Sequence, residues 1–207
     1  MVAIREICDM LPINIGGRYT LRMLTFKDLD WYVHNCRESY YNKYLDFSFA
    51  KDVPIDKLQT IFYNLTVGYA LKATNVSEAR LVLVDNTSSD IVGGCTLFEK
   101  EYEVEYEIAY FIIPKLQGTG LGTELVSRLL SGLKKSKLKV KTISSVVMNT
   151  NISSVKLLQK VGFTKQYEYD GRKGRNSVYT IAIDDVVKVY NKKTNRTTNK
   201  RQTRVRA

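Results

Sequence analysis

The stretch "IIPKLQGTGLGTELVSRLL", Ile112 to Leu130, constrains this chain more than any other. An apolar run of strand character ends at Pro114, glycines follow at 118, 120 and 122, and a helical pattern begins at once. Its leucines, Leu121, Leu125, Leu129 and Leu133, stand four residues apart, and Lys134, Lys135 and Lys137 sit where a helix C-terminus favours positive charge. A helix entered this way leaves its first-turn N–H groups without intrahelical partners, and the positive end of its dipole faces whatever lies ahead. Gly118, Gly120 and Gly122 strip side chains from that approach and permit conformations closed to other residues. Such a turn suits a phosphate. The spacing is not GxGxxG, and no Lys-Ser/Thr pair follows the last glycine as a P-loop requires.

Around this turn, periodicity assigns the remaining elements. Gly17 to Thr25 alternates Tyr19, Leu21 and Met23 with polar neighbours, the period of a half-buried strand. A helical stretch runs from Lys27 to about Tyr40, and Pro54 opens a second with Leu58, Ile61, Phe62 and Leu65 on its apolar side. "ARLVLVD", "DIVGGCTLF" and "EVEYEIAYFII" read as three strands of an antiparallel meander, the first two separated by the turn-forming "NTSS". After the central helix comes the strand "VKTISSVVMN". A short helix follows, with Ile152, Val155 and Leu158 on one side and Gly162 as a left-handed stop. Two closing strands flank "DGRKGRN". The order β-α-α-β-β-β-α-β-α-β-β predicts one α/β (α+β) domain over residues 17–186, with seven strands and about four helices, preceded by an extension, 1–16.

Charge and cysteine content exclude several classes. Of the 32 Lys and Arg, seven lie in 191–207 with no acid among them; without them 25 basic residues face 21 acidic ones. The segment 187–207 is therefore expected to be a disordered basic tail, solvated or attracted to RNA, ribosome or an acidic protein. Cys8, Cys36 and Cys95 have neither disulfide nor metal spacing, which points to reduced thiols and a cytoplasmic setting. With one histidine, His34, no metal site or histidine triad is expected. Neither a membrane span nor a secretory signal is read.

Two motifs in this order carry a resemblance. "QGTGLG" fits Q-x-x-G-x-G through Gln117, Gly120 and Gly122, the acetyl-coenzyme-A signature of the GNAT superfamily of N-acetyltransferases. About thirty residues on, Asn151, Ser154, Gly162 and Phe163 resemble its second signature, an Asn, a Ser or Ala three later, then a helix ending in Gly-Phe. "RYTLRMLTFKDLD" is similar to the opening of the branch that holds ribosomal-protein N-terminal acetyltransferases. The resemblance covers about Gly17 to Asp184 and implies a GNAT fold: a mixed seven-stranded sheet whose fourth and fifth strands splay apart.

It also implies a site. Acetyl-CoA as co-substrate would set its pyrophosphate on Gln117, Gly118, Thr119, Gly120, Leu121, Gly122 and Thr123. Its pantetheine arm would lie along Ile112 and Ile113, bonded to their strand-edge groups, with Asn151 holding it and Ser154 near the sulfur. Glu107 corresponds to a strand glutamate that some members use as base; alternation puts Glu103, Glu105 and Glu107 on one face, where neighbouring carboxylates would raise each other's pKa. The competing reading is a solvated strand face. Asn151 doubles as a helix N-cap. Many relatives carry an acid tyrosine where this chain has Leu158, so Ser154, Tyr167, Tyr179 or plain departure of the thiolate remain open. Tyr40, Tyr41 and Tyr44, with Asp46 and Phe47, are candidates for an aromatic wall around a cationic amine, or for core packing.

The activity this implies is acetyl transfer to a primary amine, foremost a protein N-terminus. A small amine, an aminoglycoside or an aminoacyl-tRNA stays open as acceptor. So does a module that senses acyl-CoA or binds nucleic acid without turnover.

Overall fold

The computed structural model describes residues 4–37, 53–71, 78–101 and 104–186. In chain order the elements are α1 (Ile4–Asp9), β1 (Ile13–Ile15), β2 (Tyr19–Met23), α2 (Leu29–Arg37), α3 (Ile55–Ala70), β3 (Glu78–Asp85), β4 (Ile91–Glu101) and β5 (Glu105–Ile112). Then come α4 (Leu121–Lys135), β6 (Thr142–Met148), α5 (Ile152–Val161), β7 (Thr164–Gly171) and β8 (Gly174–Ala182). The strands form one mixed sheet in the order β1-β2-β3-β4-β5-β6-β8-β7, in which β5 and β6 alone run parallel. That parallel pair follows from the crossover through α4, since a hairpin can join only antiparallel neighbours.

The sheet has eight strands where the sequence predicts seven, and five α-helices are described where about four are expected. The additions come from residues 4–15, set apart in sequence as an extension. Ile13–Ile15 pairs with β2 at the sheet edge, and Ile7 and Ile15 are fully buried. Three residues are too few to register as alternation.

Helices cover both faces of the sheet. On one, α2 stacks Trp31 on Phe111 of β5, and Tyr32 packs on Phe62 of α3. On the other, α4 buries Leu121, Leu125, Val126, Leu129, Leu130 and Leu133, the stripe that the four-residue spacing marks. Each such side chain contributes about 2 kcal/mol by burial. Gly132 lets β1 approach α4, because a Cβ there would come within 3.0 Å of the Ile13 Cδ1. In α5, Leu158 and Val161 are buried, whereas Ile152, placed by periodicity on the apolar side, is 55% exposed in the first turn. Ile61 of α3 is likewise partly exposed. Cys95 is buried, and burial pushes its thiol pKa up.

Candidate active site

Beyond β5 the chain makes a 3-10 turn, Pro114–Leu116, and enters α4 through Gly120. The turn is braced from within. Gln117 Nε2 donates to the Ile112 carbonyl at 2.9 Å, the Gln117 N–H to the Pro114 carbonyl, and the Thr119 hydroxyl to the Leu116 carbonyl at 2.8 Å. Gly118 and Gly120 have φ of 74° and 90°, a region that costs other residues about 1–2 kcal/mol. A Cβ at either would meet nothing within 4 Å, so conformation requires these glycines and the space before them is open. Gly122 differs. A Cβ there would lie 2.9 Å from Leu157 Cδ1, so this glycine seats α5 against α4. Among the described residues no protein acceptor pairs with the N–H groups of Gly118, Thr119, Gly120, Gly122 or Thr123, and that of Leu121 has only the Thr119 hydroxyl at 3.4 Å. No side chain caps the helix. The result is a cluster of open donors at the positive end of a 15-residue helix.

A wedge opens beside this turn. β5 and β6 are in register for only three residues, Glu105–Glu107 against Thr142–Ser144. The Ser145 hydroxyl still bridges to the Ile108 carbonyl at 2.9 Å; past that point no ladder joins the strands. The Ile113 N–H donates to the Val92 carbonyl of β4, so alternation turns the main-chain groups of Ile108, Tyr110 and Ile112 toward β6. This corrects the expectation that Ile112 and Ile113 both offer free edge groups. Ile113 spends its N–H on β4 and its carbonyl on the Leu116 N–H, and the Ile112 carbonyl accepts from Gln117.

The start of α5 forms the far wall of the wedge. Asn151 is its N-cap, the side-chain oxygen accepting from the Ser154 N–H at 3.3 Å. Ser154 Oγ lies 2.6 Å from the Tyr110 hydroxyl. Burial raises the Tyr110 pKa, the bond to Ser154 opposing it, so the phenol stays protonated. Just before the cap, Asn149 donates to Glu168 of β7 at 3.0 Å and accepts from the Ser177 hydroxyl of β8 at 2.5 Å. Glu168 also meets Lys165 and, at 2.7 Å, Arg175. Hydrogen bonds from Lys165 and Asn149 hold its pKa down at about 2.

Glu107 lies on the opposite face of β5. Register places it in one row with Phe98 of β4 and Glu78 of β3; the next rows are Ala109, Thr96 and Arg80, then Phe111, Gly94 and Val82. Alternation keeps Glu105 on the same face, and a cation joins them. Lys100, the extra residue of a bulge between Glu99 and Glu101, reaches Glu107 with Nζ 3.2 Å from Oε2. Glu103 falls outside the described residues. A cleft lies between α2 and the same face of the sheet, lined in part by the rows next to that of Glu107. Trp31, Tyr32, Asn35, Arg80, Thr96 and Phe111 line it. Arg80 is ion-paired with Glu78 at 2.5 Å and donates to the Tyr32 hydroxyl.

The acetyltransferase (GNAT) domain family matches residues 18–164. The chain belongs to the GNAT acetyltransferases. No curated protein matches this enzyme in sequence, but many solved structures share its fold. RimL, a ribosomal-protein alpha-N-acetyltransferase in complex with coenzyme A, aligns with a TM-score of 0.69 at 11% identity, over 84% of this chain and 99% of that one. Spermidine N-acetyltransferase from Vibrio cholerae, in complex with CoA and spermine, gives 0.66 at 20% identity, over 83% and 99%. AAC(6')-Ib, in complex with ribostamycin and coenzyme A, gives 0.64 at 19%, over 80% and 93%.

As a GNAT N-acetyltransferase the enzyme takes acetyl-CoA as its co-substrate. The open donors of the glycine turn fit a diphosphate, and the wedge fits an arm that pairs with a strand edge. Of the predicted residues, the structure brings Gly118 to Thr123, the β5 edge, Asn151 and Ser154 to one side of the sheet and the wedge, and Glu107 to the other side. Tyr40, Tyr41 and Tyr44 lie outside the described residues. Leu158 is fully buried and carries no polar group into the wedge. Tyr110 is the residue that sequence reading passes over. Its alternation with Tyr106, Ile108 and Ile112 marked it only as a strand residue, and its partner is 44 positions away.

Proposed function

We propose that this acetyltransferase acetylates the N-terminal amine of a protein, as in the ribosomal-protein branch of its family. One observation supports the reading above others: the β5–β6 wedge opens immediately beyond Glu107, between bare helix donors on one side and an aromatic cleft on the other. The diphosphate of acetyl-CoA rests on the N–H groups of Gly118 to Thr123, with Gln117 bracing the turn. The pantetheine arm follows the β5 edge at Tyr110 and Ile112, past Asn151, and the thioester sulfur lies by Ser154. Glu107, directly or through a water, takes the proton that the amine must lose to attack, and the substrate ammonium shares this carboxylate with Lys100. Positioning of amine and thioester supplies most of the remaining rate.

The cleft favours a peptide over a polycation. Its described lining offers aromatic faces and one arginine already paired, and no carboxylate. A polyamine or aminoglycoside would bring several charges there without counter-charges, whereas a peptide brings one ammonium, which Glu107 meets. The basic 191–207 segment suits an acceptor displayed on RNA-rich machinery. A mass-shift screen of peptides, spermidine, an aminoglycoside and aminoacyl-tRNA tests the assignment. Acetylated peptide N-termini with unmodified polyamine are expected; the reverse result would refute it.

A further inference from the structure

A hydrogen-bond donor stabilises a departing thiolate, and the α5 position that would carry a tyrosine in many relatives holds the buried Leu158. We infer that Tyr110 is a positioning residue that donates its hydroxyl to Ser154 Oγ and so leaves the Ser154 hydrogen to bond the sulfur of coenzyme A. This rests on the donor site proposed above.

Two hydroxyls 2.6 Å apart share one hydrogen, and the second proton decides the arrangement. If Ser154 donates, the Tyr110 proton is left with the Ser154 carbonyl at 3.4 Å, beyond a good O–H···O bond. If Tyr110 donates, its single proton is fully used and the serine proton is free for a ligand. A thiolate beside Ser154 can only accept, so its arrival selects the second arrangement. Burial keeps the phenol protonated, so the donor is always present. The hydroxyl pair itself makes and breaks no covalent bond. As the amine nitrogen bonds the acetyl carbon and the C–S bond breaks, the sulfur leaves with the electron pair as thiolate, held by one hydrogen bond from a serine whose rotor is fixed from behind, and takes its proton from solvent.

The consequence is readable without any acceptor, as the pKa of the coenzyme A thiol when bound. It is followed by ultraviolet absorbance of the thiolate, with desulfo-coenzyme A as the blank for protein groups. In the wild type the bound thiol should titrate below the free one, because a donor favours the charged form. Tyr110→Phe and Ser154→Ala should each raise that pKa by about one unit, a tenfold loss of thiolate at a given pH. The double variant should equal Ser154→Ala, since the two hydroxyls act as one device. An unmoved thiol pKa in Tyr110→Phe, or shifts that add in the double variant, would overturn the inference and leave the acetyltransferase reading standing. Ser154→Ala replaces a half-buried helix serine by a better helix former and so remains informative should Tyr110→Phe fold poorly; no shift there overturns the inference as well. A wild type that does not bind coenzyme A overturns both.

Discussion

Two helices begin at the wedge, and they begin differently. α5 closes its own start: Asn151 caps the Ser154 N–H, and Asn149 ties the preceding turn to β7 and β8. α4 leaves its start open, with a left-handed glycine as N-cap and only the Thr119 hydroxyl, at 3.4 Å from the Leu121 N–H, near its donors. An uncapped helix end is a cost that a merely structural turn would avoid with a serine or aspartate. Where the end stays bare beside open space, a ligand is the partner we propose. The capped end performs the complementary task, holding one serine rigidly against Tyr110. One helix start leaves its groups unsatisfied; the other satisfies them.

This contrast can be broken most decisively at Gly120. Gly120→Glu should cut coenzyme A affinity by at least about 100-fold by calorimetry, adding a carboxylate at the helix start to the backbone strain. Gly120→Ala should act mainly on stability, since its Cβ meets nothing within 4 Å. If both variants bind alike, charge at the open end is irrelevant. Next in size, Glu107→Gln should lower kcat about 100-fold if Glu107 is the base, while coenzyme A binding is unchanged, because Glu107 lies on the other face of β5. A pH profile of kcat/KM that survives this change would remove Glu107 from the mechanism. Asn151→Ala probes the capped end and should cost about 1 kcal/mol, a drop of about 2–4 °C in Tm. An uncapping effect on coenzyme A binding as large as that of Gly120→Glu would erase the distinction between the helices.

The smallest effect concerns the anchor of the capped end. The Glu168 pKa falls from 4.5 to about 2 on folding, so its contribution to stability is complete above 4.5 and is lost as pH drops toward 2. Glu168→Gln should therefore lower Tm at neutral pH, and the gap to the wild type should close as the solution is acidified through that window. A gap that is constant with pH would assign the effect to packing instead of charge.

The parts of this design that are local in sequence are legible there. The leucine ladder of α4, the left-handed stop at Gly162 and the meander β3–β5 all announce themselves by period or by residue type. Long-range features do not. β1 is too short to show alternation, and its place depends on Ile13 meeting Gly132. The Lys100 ion pair depends on a bulge, which no local pattern reports, and it adds a cation beside Glu107 that alternation does not predict. Gly122 reads like its companions in the turn but serves contact with Leu157 of another helix. Tyr110 looks like one more strand aromatic until the chain brings Ser154 to its hydroxyl.

Coenzyme A recognition turns on whether the uncapped end of α4 grips a diphosphate. Calorimetry of the full chain against coenzyme A and against pantetheine, which lacks the nucleotide and diphosphate, tests this directly. Saturable binding of coenzyme A, at least about 100-fold tighter than pantetheine and reduced to the pantetheine level by Gly120→Glu, is the predicted result. Equal affinity for the two ligands, or no heat with coenzyme A, would contradict it.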